Sequence, residues 1–185
     1  MAQSKNNVIT HGLSRKVGDL LVFRQRDGKT IVSKVPEQSK PASEKQIQHR
    51  KRFQKAVIYA KTAIVADETA ELYKKAAKKG RLPLNVAVAD FFNAPDIDTV
   101  DLSAYAGVAG DEIRIIVTDD FAVKSVHVQI SNADGSPVEE GDAVNSAGDL
   151  WIYTATVNNE NTEGDKIVII ASDLPGNVTE EQYEV

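Results

Sequence analysis

From about residue 99 to the C-terminus, apolar and polar residues alternate in short segments, and this pattern constrains the fold most strongly. Successive side chains of a β-strand point to opposite faces, so such alternation indicates strands with one buried face. The segments with this pattern are residues 99–103, 112–118, 122–130, 137–140, 150–156, 166–172 and 177–184. Clusters of Asp, Asn, Gly and Pro, which favour turns, separate most of them. About seven short strands with frequent turns predict an antiparallel β-sandwich.

Two aromatic residues stand in the fifth of these segments. Trp151 and Tyr153 are two positions apart, so they share one face of the predicted strand. We expect one of them to fill the core of the sandwich, with the Trp N–H or the Tyr O–H reaching an edge.

The N-terminal region has the pattern of a β-hairpin within residues 8–35. Asp27-Gly28 is a strong signal for a two-residue turn, and it separates predicted strands near residues 18–25 and 30–35. An isolated hairpin is only marginally stable in water. We therefore expect this hairpin to pack against another part of the chain or against another subunit.

The segment that follows has the capping and spacing signals of helices. Ser43 and Gln46 match the Ser-x-x-Gln capping box of a helix start. Asp67 is expected to cap a second helix that runs to Lys79 and stops at Gly80. The apolar stripe of the first helix comprises Phe53, Ala56, Val57, Ala60 and Ile64.

A shorter helical segment is predicted from Asn85 to Phe92, ended by Pro95. The predicted fold class is therefore α+β in two parts. Residues 1–95 form a basic arm, a β-hairpin and helices, and residues 97–185 form an acidic β-sandwich.

The net charge is −5, but basic residues are concentrated in the first half of the chain and acidic residues in the second. Residues 1–85 contain 19 lysines and arginines against 7 aspartates and glutamates, whereas residues 86–185 contain 3 against 20. Such asymmetry predicts either different partners for the two halves or attraction between unlike halves of neighbouring molecules. Two solvated surfaces that merely differ in charge are the alternative.

The C-terminal segments resemble bacterial immunoglobulin-like domains. The shared motifs are Asp-Asp-x-x-Val-x-x-Val-x-Val-x-Ile, an Asp-Gly turn, Trp-x-Tyr-Thr and Ala-x-Asp-x-x-Gly-Asn-x-Thr. They occupy residues 119–130, 134–135, 151–154 and 171–179. The resemblance implies an immunoglobulin-like antiparallel β-sandwich, and it implies no activity, because such sandwiches host many functions.

The N-terminal half is similar to a family of uncharacterised bacterial proteins, mainly of Bacteroidota. Its motifs are Gly-x-x-x-Lys-Val-Gly, a Gly-Lys strand and Ser-Glu-x-Gln-x-x-x-Arg-x-Arg-Phe, found here at residues 12–18, 28–29 and 43–53. The resemblance implies a shared architecture and transfers no catalytic residues.

No catalytic motif is apparent in the sequence. His11, His49 and His127 lack metal-ligand spacing, and cysteine is absent, which excludes disulfides and thiolate sites. Gly28-Lys29-Thr30 lacks the upstream glycine of a phosphate-binding loop. We therefore expect a protein that is not an enzyme and that has no cofactor.

Aspartates at the predicted turns are the candidate metal ligands. Asp119, Asp120 and Asp173 follow or precede strands, where Asp commonly forms turns. Calcium takes several hard oxygen ligands, so these three are weak calcium candidates, although the twelve-residue EF-hand pattern is absent.

The basic first helix is a candidate for phosphate contacts. Arg50, Lys51, Arg52 and Lys55 are its candidate residues for binding nucleic acid. Aromatic residues are sparse among them, and a solvated or subunit-facing helix surface is favoured over nucleic acid.

The leading hypothesis is a structural attachment protein whose N-terminal half docks to a larger assembly or self-associates. The sandwich then projects outward from that assembly. The expected attachment residues are Leu21, Phe23, Arg24, Arg26 and Ile31. Because neither a signal peptide nor a membrane helix is apparent, we expect no membrane insertion and a location in a phage virion or the bacterial cytoplasm. A nucleic-acid-binding protein and a cell-surface adhesin-like module are the alternatives.

Overall fold

The computed structural model describes residues 2–4, 13–26, 28–35, 41–77 and 80–185. These residues form three α-helices and three four-stranded antiparallel sheets, so the chain is a mixed α+β protein with more strand than helix. The predicted α+β class is confirmed. The chain divides into two compact units, residues 1–51 and 52–185, which we name the N-terminal unit and the C-terminal unit.

The sheet of the N-terminal unit contains the predicted hairpin. The strands are β1 (Ala2–Ser4), β2 (Arg15–Val17), β3 (Leu21–Arg26) and β4 (Lys29–Lys34), in the order β1-β4-β3-β2. Arg26 pairs with Lys29, and Gly28 has φ +72°, a value that glycine adopts readily. Asp27, the other predicted turn residue, lies outside the described residues. The edge strands β1 and β2 were not predicted as strands.

Helix α1 (Glu44–Ala63) begins at the predicted capping box. The backbone N–H of Gln46 donates to Ser43 Oγ at 3.3 Å, and the backbone N–H of Ser43 donates to Gln46 Oε1 at 3.0 Å. The two residues thus satisfy each other's backbone donors at the start of the helix, as the motif requires.

Helices α2 (Asp67–Ala76) and α3 (Pro83–Asp90) differ from prediction at their ends. Asp67 is the first helical residue and not the cap; the cap position belongs to Ala66, which forms no side-chain capping bond. Helix α2 ends at Ala76, before the predicted Lys79. Helix α3 starts two residues early because proline at the first helical position has a suitable φ and needs no N–H partner.

The helices of the C-terminal unit share a small core. Its buried members are Ala60, Ala63, Tyr73 and Ala87. Phe121 and Leu174, which lie in turns between strands, pack against this cluster. The ring of Tyr73 stacks on that of Phe121 with their centroids 4.4 Å apart. The helical and strand segments are therefore joined by apolar contacts within one unit.

The strands of the C-terminal unit form two sheets, with the orders β5-β6-β10-β9 and β12-β11-β7-β8. The strands are β5 (Asp96–Asp101), β6 (Glu112–Thr118), β7 (Val123–Ser131), β8 (Pro137–Asp142), β9 (Val144–Ala147), β10 (Leu150–Thr154), β11 (Lys166–Asp173) and β12 (Val178–Glu184). Seven of them correspond to predicted segments. Strand β9 was missed because its four residues are all exposed and show no alternation.

One hydrophobic core unites these two sheets. Strand β11 buries every second residue, and β6 does the same. Trp151 and Tyr153 are both buried, whereas only one of them was expected to be. The other buried members are Ile97, Tyr105, Ile113, Ile115, Val117, Val126, Val128, Ile130, Ala143, Ala155, Ile167, Ile169 and Ala171.

The boundary between the compact units precedes most of the helical residues. Residues 52–95 belong to the same unit as the strands, whereas the predicted domains, 1–95 and 97–185, separate the two. Independent folding of residues 97–185 therefore stays a prediction.

Within the described ranges, no helix is both long and apolar enough to cross a membrane.

Candidate functional site

Three carboxylates that are separated in sequence meet in the C-terminal unit. Asp90 is the last residue of α3, and Asp119 and Asp120 follow the end of β6. One ligand oxygen from each residue lies within 4.8 Å of the other two. We name Asp90, Asp119 and Asp120 the acidic cluster. Two of its members were predicted calcium candidates, and Asp90 was not.

Backbone hydrogen bonds fix Asp119 in the turn between β6 and β7. Its Oδ2 accepts the N–H of Ala122 at 2.8 Å and that of Phe121 at 3.3 Å. A short carboxylate that accepts such bonds stabilises the turn locally. Its Oδ1 is buried and has no hydrogen-bond partner, so one oxygen of Asp119 is committed to the turn and the other is not.

The hydroxyl groups of Tyr59 and Tyr73 form a chain of hydrogen bonds that ends on the carboxylate of Asp90. Its side chain is 1% exposed, and its Oδ2 accepts a hydrogen bond from the Tyr73 hydroxyl. The hydroxyls of Tyr59 and Tyr73 are 2.8 Å apart. Since Tyr73 gives its proton to Asp90, Tyr59 is the donor in this second bond. Oδ1 of Asp90 is buried and has no partner.

The electrostatic environment of the cluster disfavours negative charge. The pKa of Asp90 is raised to about 7, chiefly because burial penalises the ionised form. The hydrogen bond from Tyr73 lowers it, and the negative charges of three neighbouring aspartates raise it further. Burial also raises the pKa of Asp119, although the two backbone N–H donors oppose this effect.

Among the described residues, no ion pair balances this charge. The ion pairs formed between described residues all lie elsewhere, and none includes Asp90, Asp119 or Asp120. Burying carboxylates without pairing is costly, so a cluster of this kind either takes up protons or binds a cation.

Asp173, the third predicted calcium candidate, lies near the cluster but outside it. Its Oδ1 accepts the N–H groups of Gly176 and Asn177 at 2.8 and 2.6 Å, and its Oδ2 accepts Asn177 Nδ2 at 2.7 Å. Its charge still acts on Asp90. Both oxygens therefore serve the turn between β11 and β12, so Asp173 has a structural role in this arrangement.

Two asparagine side chains connect the segment after α3 to the strand turns. Asn93 Nδ2 donates to Asp120 Oδ2 at 2.7 Å, and Asn177 Nδ2 donates to the carbonyl oxygen of Asn93 at 2.8 Å. These bonds hold residues 90–93 against both turns and so keep the three carboxylates together.

Sequence reasoning missed Asp90 because it was assigned to an apolar helical segment. One signal was available: an aspartate at the C-terminus of a short helix is unfavourable, since the helix dipole favours positive charge there. An acidic residue in that position therefore indicates a compensating partner elsewhere in the fold.

The predicted attachment residues differ in accessibility. Leu21 is 39% exposed and Arg24 is also exposed, whereas Phe23 is buried at 9% and Ile31 is half-buried. The side chain of Arg26 lies outside the described part of the chain. Phe23 is thus largely inaccessible, and Leu21 is the more accessible apolar side chain.

The predicted phosphate contacts on α1 are not equivalent. Arg50, Lys51 and Lys55 are exposed. Arg52 donates to the carbonyl oxygen of Phe92 at 3.1 Å, and its guanidinium lies over the Phe92 ring, 5.0 Å from the centroid. Arg52 is therefore engaged in packing within the C-terminal unit.

The histidines do not converge in the described structure. His49 lies on α1, and His127 Nδ1 on β7 lies 2.8 Å from Asp142 Oδ1. His11 lies outside the described residues.

No family model, curated protein or solved structure matches this chain.

Proposed function

We propose that this chain is a structural attachment protein without enzymatic activity. The N-terminal half docks to a larger protein assembly, and the C-terminal unit projects from it. The observation that carries the proposal is that β2 is an edge strand of the N-terminal sheet among the described residues. Unpaired strand edges expose N–H and C=O groups that pair readily with strands of other chains.

Apolar side chains lie on and beside this edge. Val17 in β2 is 54% exposed, Leu20 in the following turn is 77% exposed, and Leu21 at the start of β3 is 39% exposed. Natural edge strands avoid aggregation by being short or charged. Strand β2 is short and carries Arg15 and Lys16, yet it also presents these apolar groups, which favours a specific partner.

Charge supports docking to an acidic protein surface. Residues 1–51 contain 11 lysines and arginines against 4 aspartates and glutamates. Electrostatic complementarity accelerates and orients association. A phage virion is the proposed assembly by analogy of fold, because sandwich domains decorate such particles and extended arms hold their subunits together.

We infer an immunoglobulin-like sandwich for the strands of the C-terminal unit. With β5 to β12 taken as strands A, B, C, C′, D, E, F and G, the two sheets have the orders A-B-E-D and G-F-C-C′. This arrangement matches the order of immunoglobulin domains with one added strand. The motifs at residues 119–130 and 171–179 support the same interpretation, and those at residues 12–18 and 43–53 support the proposed Bacteroidota relationship.

The test is a deletion of residues 1–35 in the full-length protein. We expect the deletion to abolish self-association in light scattering, or incorporation into co-expressed particles, while the C-terminal unit stays folded by circular dichroism. High salt should weaken association of the intact chain without removing it, because apolar strand pairing persists when charges are screened. A monomeric full-length chain that binds no particle would contradict the proposal.

Two valine substitutions localise the docking edge. Val17 lies on edge strand β2, and Val144 lies on edge strand β9 of the C-terminal unit, where it is 70% exposed. Val17→Lys should weaken association, and Val144→Lys should not, although both place a lysine on an exposed edge. Equal effects of the two substitutions would show that association depends on total charge and not on β2.

A further inference from the structure

The acidic cluster combines two features that point to a bound cation. Three carboxylates approach within 4.8 Å of one another, and their charge is not balanced by an ion pair among the described residues. Independently, the side chain of Asp90 is 99% buried and keeps one oxygen, Oδ1, without a hydrogen-bond partner. A buried acceptor of this kind ordinarily has a partner.

We propose that Asp90, Asp119 and Asp120 bind one calcium ion. Carboxylate oxygens are hard ligands, the class that calcium and magnesium prefer. Calcium binding also satisfies the free Oδ1 of Asp90 or of Asp119 and neutralises two of the three negative charges. Water molecules supply the remaining ligands that a calcium ion requires.

Coordination geometry favours calcium over magnesium. Two ligands of one ion can be separated by at most twice the metal–oxygen distance, which is about 4.6–5.2 Å for calcium. The oxygens of the cluster lie within 4.8 Å of one another, so they can share one calcium ion. Calcium accepts irregular arrangements of oxygen ligands such as a helix end and a turn supply, whereas magnesium demands near-ideal octahedral geometry.

The proposed ion joins two layers of the C-terminal unit. Asp90 ends helix α3, whereas Asp119 and Asp120 belong to the turn between β6 and β7. Calcium would add a direct link at the point where Asn93 already connects these segments. The ion should therefore stiffen the junction between helices and strands. This inference does not depend on the attachment function.

The experiment measures thermal unfolding of the full-length protein after treatment with EDTA. We expect calcium to raise the melting temperature by about 5–10 °C at concentrations on the order of 100 times its Kd. Magnesium at the same concentration should give less than half of this shift. Isothermal titration calorimetry should show one calcium site per chain.

Variants identify the site. Asp120→Asn should reduce calcium affinity at least tenfold and remove most of the calcium-dependent shift; because Asp120 is exposed, this variant should fold. Asp119→Asn should have the same effect. Asp98→Asn, which removes one exposed carboxylate from β5, is the matched control and should retain the full shift.

Three outcomes would overturn the proposal. One is a wild-type melting temperature and calorimetric signal that calcium leaves unchanged. Another is a calcium shift that Asp120→Asn and Asp119→Asn both retain, which would place the ion elsewhere. The third is an equal shift with magnesium, which would show a site without calcium selectivity.

Discussion

The hydroxyl of Tyr73 in α2 donates a hydrogen bond to the carboxylate of Asp90 at the end of α3, and both side chains are almost completely buried. This bond connects the two helices at a point where the Tyr73 ring also stacks on Phe121. One tyrosine thus joins the helical core, the acidic cluster and a strand turn. Its hydroxyl and its ring contribute separately, so their effects can be measured separately.

Tyr73→Phe should lower the free energy of unfolding by about 2–3 kcal/mol, because it removes a bond to a buried carboxylate and keeps the ring. Urea denaturation in EDTA gives the value without any contribution from calcium. Tyr59→Phe is the matched control: it removes only the bond between the two hydroxyls, and we expect a loss of about 1 kcal/mol. Equal losses would mean that the bond to Asp90 adds nothing.

Gly107→Ala should destabilise the C-terminal unit more than Gly110→Ala. Both glycines have positive φ, +81° and +104°, so alanine strains the backbone at either position. At Gly107 the added Cβ would also lie 2.3 Å from the carbonyl oxygen of Asn159 and 2.6 Å from Thr162 Cγ2. Nothing lies within 4 Å of a Cβ at Gly110.

We expect this steric difference to separate the two glycine variants by about 1–3 kcal/mol in thermal or urea unfolding. Gly107→Ala should also disturb the bond that the Asn159 N–H donates to the Gly107 carbonyl oxygen at 2.7 Å. Two variants of equal stability would show that the loop containing Asn159 moves away at little cost.

Trp151→Ala should cost about 3–5 kcal/mol of unfolding free energy, the usual range for removing a buried aromatic side chain from a core. Trp151 is 8% exposed and pairs with Ile115 on β6. Ile116→Ala provides the comparison, because Ile116 is 40% exposed and should cost less than about 1 kcal/mol. A loss below about 1 kcal/mol for Trp151→Ala would make the indole a surface group available for binding.

Residues 97–185 expressed alone should fold as a cooperative all-β unit, because the core between the two sheets is formed almost entirely by this segment. Residues 52–185 should melt at a higher temperature, since they retain the contacts of Phe121 and Leu174 with the helices. Circular dichroism during heating measures both fragments. If only the longer fragment shows a transition, the folding unit includes the helices.

Nucleic acid should bind weakly to the full-length protein and dissociate at physiological salt. Arg50→Gln with Lys51→Gln should reduce the slope of log K against log salt by about 2 if both residues contact phosphates. Lys124→Gln with Lys166→Gln removes the same charge from the C-terminal unit and should leave the slope unchanged. Tight binding that resists salt would favour a nucleic-acid-binding function over attachment.

Local sequence was sufficient where a few neighbouring residues determine the conformation. Ser43 and Gln46 form the capping box because both partners lie within one helical turn. Gly28 occupies the hairpin connection, and the alternation of residues 166–172 matches the buried face of β11. Strands β1 and β2 escaped prediction because each has only three residues and depends on pairing with β4 or β3.

The acidic cluster could be predicted only in part from the sequence. Asp119 and Asp120 were recognisable as turn carboxylates, and their sequence motif was sufficient to make them candidates. Asp90 joins them only because the stacking of Tyr73 on Phe121 and the hydrogen bond from Asn93 to Asp120 bring the end of α3 to that turn. The hydrogen-bond donors to Asp90 include Tyr73 and Asn177, which are 17 and 87 positions away, so its environment depends on tertiary packing.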